Sequence, residues 1–77
     1  MNEKKYLNVF MDIFKISKED AKTAHYKELQ QWDSVGHMSF IMELENTFQI
    51  SLEFEDILHL NSYENGKEIL KKYGVEF

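Results

Sequence analysis

Trp32-Asp33-Ser34-Val35-Gly36-His37-Met38-Ser39-Phe40-Ile41-Met42-Glu43-Leu44-Glu45-Asn46-Thr47-Phe48 is the stretch on which the reading of the fold turns. Phe40, Ile41, Leu44 and Phe48 stand at i, i+1, i+4 and i+8, one broad apolar face of a helix, and Met38 can extend it. Asp33 and Ser34 are both residue types that cap helix N-termini, because a short side-chain oxygen accepts from N–H groups left without partners in the first turn. The pattern predicts a helix from Ser34 to Phe48, about 22 Å long. Ser34 then sits at its mouth, where an irregular segment meets the helix. Capping alone would be reason enough for a serine there.

Working outward, Leu7, Phe10, Met11 and Phe14 repeat at i, i+3, i+4 and i+7 and predict a helix from Glu3 to about Phe14. From Ile16 to Trp32 the apolar residues are scattered. Ser17-Lys18-Glu19-Asp20 can cap a short turn of helix, and the remainder reads as a long, mostly irregular connection pinned by its aromatics. Downstream, Gln49–Leu52 reads as a connection with two apolar anchors, and Phe54, Ile57 and Leu58 mark a short helix. Asn61-Ser62 is a fresh cap signal for a last helix carrying Tyr63, Ile69, Leu70 and Tyr73, which Gly74 ends. Val75 and Phe77 form a tail suited to docking on the body. Sustained two-residue alternation is absent. The expectation is a single all-α domain over residues 1–77, a small four-helix bundle of three main helices and one short one. Its expected core is Phe10, Phe14, Phe40, Ile41, Leu44, Phe48, Ile57 and Leu70.

Composition narrows the function. Fourteen acidic against nine basic residues leave a net charge of −5. Such a surface repels phosphate backbones and argues against nucleic-acid binding, while favouring partners with basic docking patches. The absence of cysteine removes disulfides, thiol chemistry and Cys-based zinc sites. No signal peptide or membrane-spanning run is legible, so a cytoplasmic monomer is the expectation.

Trp32-Asp33-Ser34-Val35-Gly36-His37-Met38, followed by Ile41-Met42-Glu43-Leu44-Glu45 and Phe48-Gln49-Ile50, resembles the acyl carrier protein family. That family opens its second helix on Asp-Ser-Leu, with a Leu-Glu pair about ten residues on and then a Phe. The motif resemblance runs from about Trp32 to Ile57, and the helix order agrees over the whole chain. It implies that Ser34 is the attachment point of 4′-phosphopantetheine, with Asp33 and Val35 as its motif neighbours, and that the chain is a carrier of acyl or aminoacyl cargo rather than an enzyme. A primary hydroxyl can attack the β-phosphate of coenzyme A and leave a stable phosphodiester. A separate phosphopantetheinyl transferase supplies base and magnesium, so no base or metal constellation is required around Ser34. The implied partners are that transferase and the enzymes that activate and transfer the cargo. Their expected recognition residues are Met38, Met42, Glu43 and Glu45. Val35 stands where Leu is usual and is expected to remain a buried aliphatic. Gly36-His37, Ser39 and Asn46 replace polar or acidic residues common in fatty-acid carriers, and no proline precedes the third helix. These departures, and the likeness of Trp32–His37 to stand-alone carriers of accessory or surface-polymer pathways, point to a specialised biosynthetic pathway rather than bulk fatty-acid synthesis. The competing expectation is a small acidic helical interaction module without a prosthetic group.

Other chemistry is weaker in the sequence. His37 lies one helical turn after Ser34, but a Ser–His nucleophile pair also needs an oxyanion pocket and an orienting group, and neither can be identified; His37 reads as a solvated side chain. His25, His37 and His59 lack zinc-ligand spacing, and Glu53, Glu55 and Asp56 lack the glycine and spacing of a calcium loop, so no metal site is expected. Trp32 is either a partner anchor or core. Met38 and Met42 either line a cargo groove or are core themselves.

Overall fold

The computed structural model describes residues 2–77. Within them five helices follow in order: α1 (Asn2–Phe14), α2 (Lys18–Lys22), α3 (Ser34–Phe48), α4 (Phe54–His59) and α5 (Tyr63–Lys71). The three long helices are the expected ones, and the short helix at Phe54 is present. The short turn of helix expected behind Ser17 is present as the five-residue α2, so the bundle has five helices rather than four. Ser17 Oγ accepts from the Asp20 N–H at 3.2 Å, Glu19 and Asp20 sit at the positive end of the helix dipole, and Ala21 is buried. The connection after α2 is tied down by backbone as well as by aromatics: Tyr26 N–H donates to Asn61 O at 2.8 Å and Tyr63 N–H to Ala24 O at 3.1 Å. These bonds clamp the segment against the start of α5.

The core is aromatic. Phe10 on α1 is the hub, with the rings of Tyr6, Phe14, Trp32, Phe40 and Tyr63 all centred within 5.8 Å of its own. All six side chains are fully or almost fully buried, and Phe40, Ile41 and Leu44 are the α3 face pressed into them. The radius of gyration, 11.1 Å, matches what a packed chain of this length should have. Two expected core residues are corrected. Phe48 is only half-buried, because it is the last residue of α3 and the chain turns away at once through the left-handed Gln49 (φ 55°). Ile57 is half-buried too: it packs against the core from its edge, and no side chain of α4 is fully buried.

With only Ile57 packed on the core, α4 is held in addition by hydrogen bonds. Tyr73 Oη accepts from the Glu53 N–H at 2.8 Å and donates to the Asp56 carboxylate, which Lys72 also meets at 2.7 Å. The two chain ends are joined in a similar way. Glu3 receives the Tyr63 hydroxyl at 2.9 Å and Lys67 at 3.2 Å, and Asn2 Nδ2 donates to Glu76 O at 2.9 Å. Tyr6, whose phenol burial pushes far up, donates to Tyr63 O at 2.7 Å. Val75 is buried and the Phe77 ring lies against Tyr6, so the tail docks.

These contacts predict an acid limb. The Tyr63 hydroxyl, with Lys67, holds Glu3 below the ordinary carboxylate range, and Lys72, with Tyr73, does the same for Asp56. A carboxyl depressed in the fold contributes stability that is complete above its unfolded pKa and is lost as pH falls through the folded value. Melting temperature should therefore be flat from neutrality and fall below about pH 4. Circular-dichroism melts of the wild type and of a Glu3→Gln, Asp56→Asn double variant check this. The double variant should be less stable at pH 7 and less acid-sensitive, and an unchanged acid slope would remove both groups from the explanation.

Candidate functional site

Two residues at the mouth of α3 could cap it, and the backbone chooses Asp33. Its φ and ψ, −108° and −166°, are extended, and its Oδ1 accepts from the Gly36 N–H at 2.9 Å. Ser34 is thereby the first helical residue, and capping makes no use of its hydroxyl. Ser34 is exposed, and its Oγ has one side-chain neighbour, the hydroxyl of Tyr26 at 3.3 Å. Tyr26 stands eight residues upstream in the connection, and no periodicity links it to Ser34. An aromatic in an otherwise polar stretch was its only signal.

Gly36 lets the connection approach the helix closely. A Cβ at this position would come within 2.2 Å of the Gln31 carbonyl oxygen, a backbone atom that cannot swing aside. Trp32 follows that carbonyl immediately and is fully buried, so it is core and not an exposed anchor. Its ring stacks on Phe14 and meets Phe10 and Phe40 edge-on.

His37 is not the solvated side chain its position suggested. Its Nδ1 accepts from Trp32 Nε1–H at 2.9 Å, which puts the ring proton on Nε2, and Nε2 donates to the Ile57 carbonyl at 2.8 Å. The imidazole thus ties Trp32 to α4, and both its nitrogens are engaged away from Ser34. A Ser34–His37 nucleophile pair is not formed. His37→Ala should leave the buried Trp32 N–H without a partner and cost about 1–3 kcal/mol. Urea unfolding measures this, and a midpoint equal to wild type would mean that the bridge carries no stability.

Val35 is corrected outright: it is 78% exposed, because the second residue of α3 points away from the face that carries Phe40, Ile41 and Leu44. With Met38 and Met42 it forms a stripe at i, i+3 and i+7 that begins beside Ser34. Met38 and Met42 are 50% and 65% exposed, so neither is core. On α4, Phe54 and Leu58 are exposed too. Five large apolar side chains are therefore exposed on α3 and α4. The two acidic candidates differ. Glu43 is half-buried beside Thr47, whose hydroxyl donates to it at 3.4 Å. Glu45 accepts from the Leu52 N–H at 2.9 Å and so anchors the connection to α4.

Among the described residues no three His, Asp or Glu side chains are grouped to hold a metal ion, and no helix is long and apolar enough to cross a membrane. No protein-family model, curated protein or solved structure matches this chain.

Proposed function

We propose that the chain is an acyl or aminoacyl carrier protein that receives 4′-phosphopantetheine on Ser34: the hydroxyl gives its proton to the transferase's base and attacks the β-phosphate of coenzyme A, breaking the pyrophosphate bond and releasing adenosine 3′,5′-bisphosphate. The observation that carries this reading is an exposed serine at the first position of a long helix, its hydroxyl spared from capping by Asp33, at the head of an outward apolar stripe. The residues fit the group. Ser34 Oγ is accessible, and a phosphodiester there would lie at the positive end of the α3 dipole near N–H groups of the first turn. Once attached, the arm supplies a thiol that holds cargo as a thioester, which a chain without cysteine cannot supply itself. The likeness of Trp32–His37 to stand-alone carriers, with the departures at Gly36-His37, Ser39 and Asn46, supports a specialised biosynthetic pathway.

In this reading Val35, Met38 and Met42 present the apolar part of the surface that the transferase and the cargo-handling enzymes meet, with Tyr26 beside the attachment point. The test is intact-mass measurement after incubating the folded protein with coenzyme A, magnesium and a broad-specificity phosphopantetheinyl transferase. The expected result is a gain of one phosphopantetheinyl unit, mapped to the peptide containing Ser34. A folded chain that gains nothing would overturn the proposal. The exposed apolar residues of α3 and α4 would then belong to an interaction module without a prosthetic group.

Charge reversals should separate docking from folding. Glu43→Lys should slow modification modestly and increasingly so at low salt, since partly exposed charge pairs are weak and screened. Glu45→Lys should in addition lose the bond to Leu52 and cost about 1–3 kcal/mol. Transferase rates and thermal melts on both variants check this, and identical behaviour of the two would contradict the different contacts they make.

A further inference from the structure

A concave surface that does not include Ser34 lies between α1 and α2. It is a groove of about 480 Å³ whose apolar floor is Leu7 and Met11. Lys4, Lys18 and Lys22 line it. Lys18 and Lys22 are four residues apart and so share one face of α2, while Lys4, Leu7 and Met11 share one face of α1. In a chain of net charge −5, three of the nine basic residues converge here. None of the three pairs with a carboxylate within 4 Å among the described residues. The one acidic residue in the lining, Glu3, is already engaged by Tyr63 and Lys67.

We propose that this groove docks an acidic amphipathic helix of a partner protein. The arrangement of the charges selects that occupant. Lys4 stands at the N-terminal end of α1, Lys22 is close enough to Glu3 to act on its charge, and Lys18 opens α2 next to the C-terminal end of α1. Lys4 and Lys22 therefore mark the end of the groove at the start of α1 and Lys18 marks the other, across the two helical turns, about 10 Å, that separate Lys4 from Met11. A single-headed amphiphile has one anionic end and would leave Lys18 unmatched. A helix with apolar side chains at i and i+4 and carboxylates on its flanks matches both the floor and the lysines at either end. The lysines are exposed and unpaired, so docking breaks no existing ion pair. The inference is independent of the carrier reading.

The test is a titration of the isotopically labelled full chain, followed by amide NMR, with a synthetic helical peptide bearing leucines along one face and glutamates flanking them. A twin peptide with lysines for glutamates, and decanoate, serve as comparison probes. The expected result is shifts confined to residues 3–11 and 18–22 with the acidic peptide and none with its basic twin. Affinity should fall about tenfold in a Lys18→Glu, Lys22→Glu variant, where two attractions become repulsions. That variant changes exposed side chains only, and a native far-UV circular-dichroism spectrum with a cooperative melt verifies its fold. Ser34→Ala should bind as wild type does. Shifts elsewhere, equal binding of the two peptides, or an affinity indifferent to the charge reversal would overturn the proposal. Saturable binding of decanoate in the groove with no binding of the acidic peptide would also overturn it and make this a small-amphiphile site. Concentration-dependent shifts in the groove without any peptide would assign the surface to a second copy of the chain instead.

Discussion

Ser34→Ala is expected to abolish modification by coenzyme A and the transferase completely while leaving the melting curve where it was. Both halves follow from the geometry. The substitution removes the hydroxyl that would form the phosphodiester, and no other exposed serine in the described residues opens a long helix behind an Asp cap. Structurally the change is slight, because the cap belongs to Asp33 and Ser34 Oγ makes one weak hydroxyl–hydroxyl contact, with Tyr26 at 3.3 Å. Alanine is also the better helix former. Intact mass and circular dichroism on the same sample decide the matter. A phosphopantetheinyl adduct retained by Ser34→Ala would move the site elsewhere. A variant that melts markedly lower would mean that Ser34 is a structural residue after all.

Trp32→Ala should have the largest effect on stability. The indole is fully buried, packs on Phe10, Phe14 and Phe40, and satisfies His37. Removing a buried aromatic of this size typically costs about 3–5 kcal/mol. A core this small supplies little more than that in total. The variant should be largely unfolded at 37 °C and unable to accept the prosthetic group, although the residue never touches it. Trp32→Phe separates packing from hydrogen bonding: it keeps most of the ring volume, loses the bond to His37, and should remain folded with a lowered melting temperature. Thermal melts of both variants check the order. A Trp32→Ala protein as stable as wild type would place the indole outside the core.

Local pattern was enough to reveal α1, α3 and α5, because an amphipathic helix repeats its apolar residues within one or two turns and that repeat survives any tertiary arrangement. The Asn61-Ser62 signal likewise marked the start of α5, where the structure makes Ser62 the cap: its Oγ accepts from Asn65 N–H and the Asn65 side chain answers in return. Where two adjacent residues could do the same job, pattern was silent. Asp33 and Ser34 are equally good caps in composition, and only the backbone angles of Asp33 decide between them. Burial at helix ends was also beyond local reach. Phe48 looks like a full member of the α3 face, yet its exposure depends on where the chain goes after Gln49, and Val35 looks apolar enough to be buried but falls on the outward side.

By itself, then, the sequence determined an all-helical acidic domain with a serine at the mouth of its central helix, since helix periodicity, cap chemistry and charge are properties of neighbouring residues. What surrounds that serine depends on how the distant parts of the chain come together. Tyr26 reaches Ser34 because the connection is clamped to Asn61 and Tyr63, and His37 is drawn inward because Trp32 and the carbonyl of Ile57 converge on it from sequence positions 5 and 20 residues away. The lysine-lined groove likewise exists only once α2 folds back against α1. Such encounters depend on the global path of the chain, which no window of adjacent residues encodes.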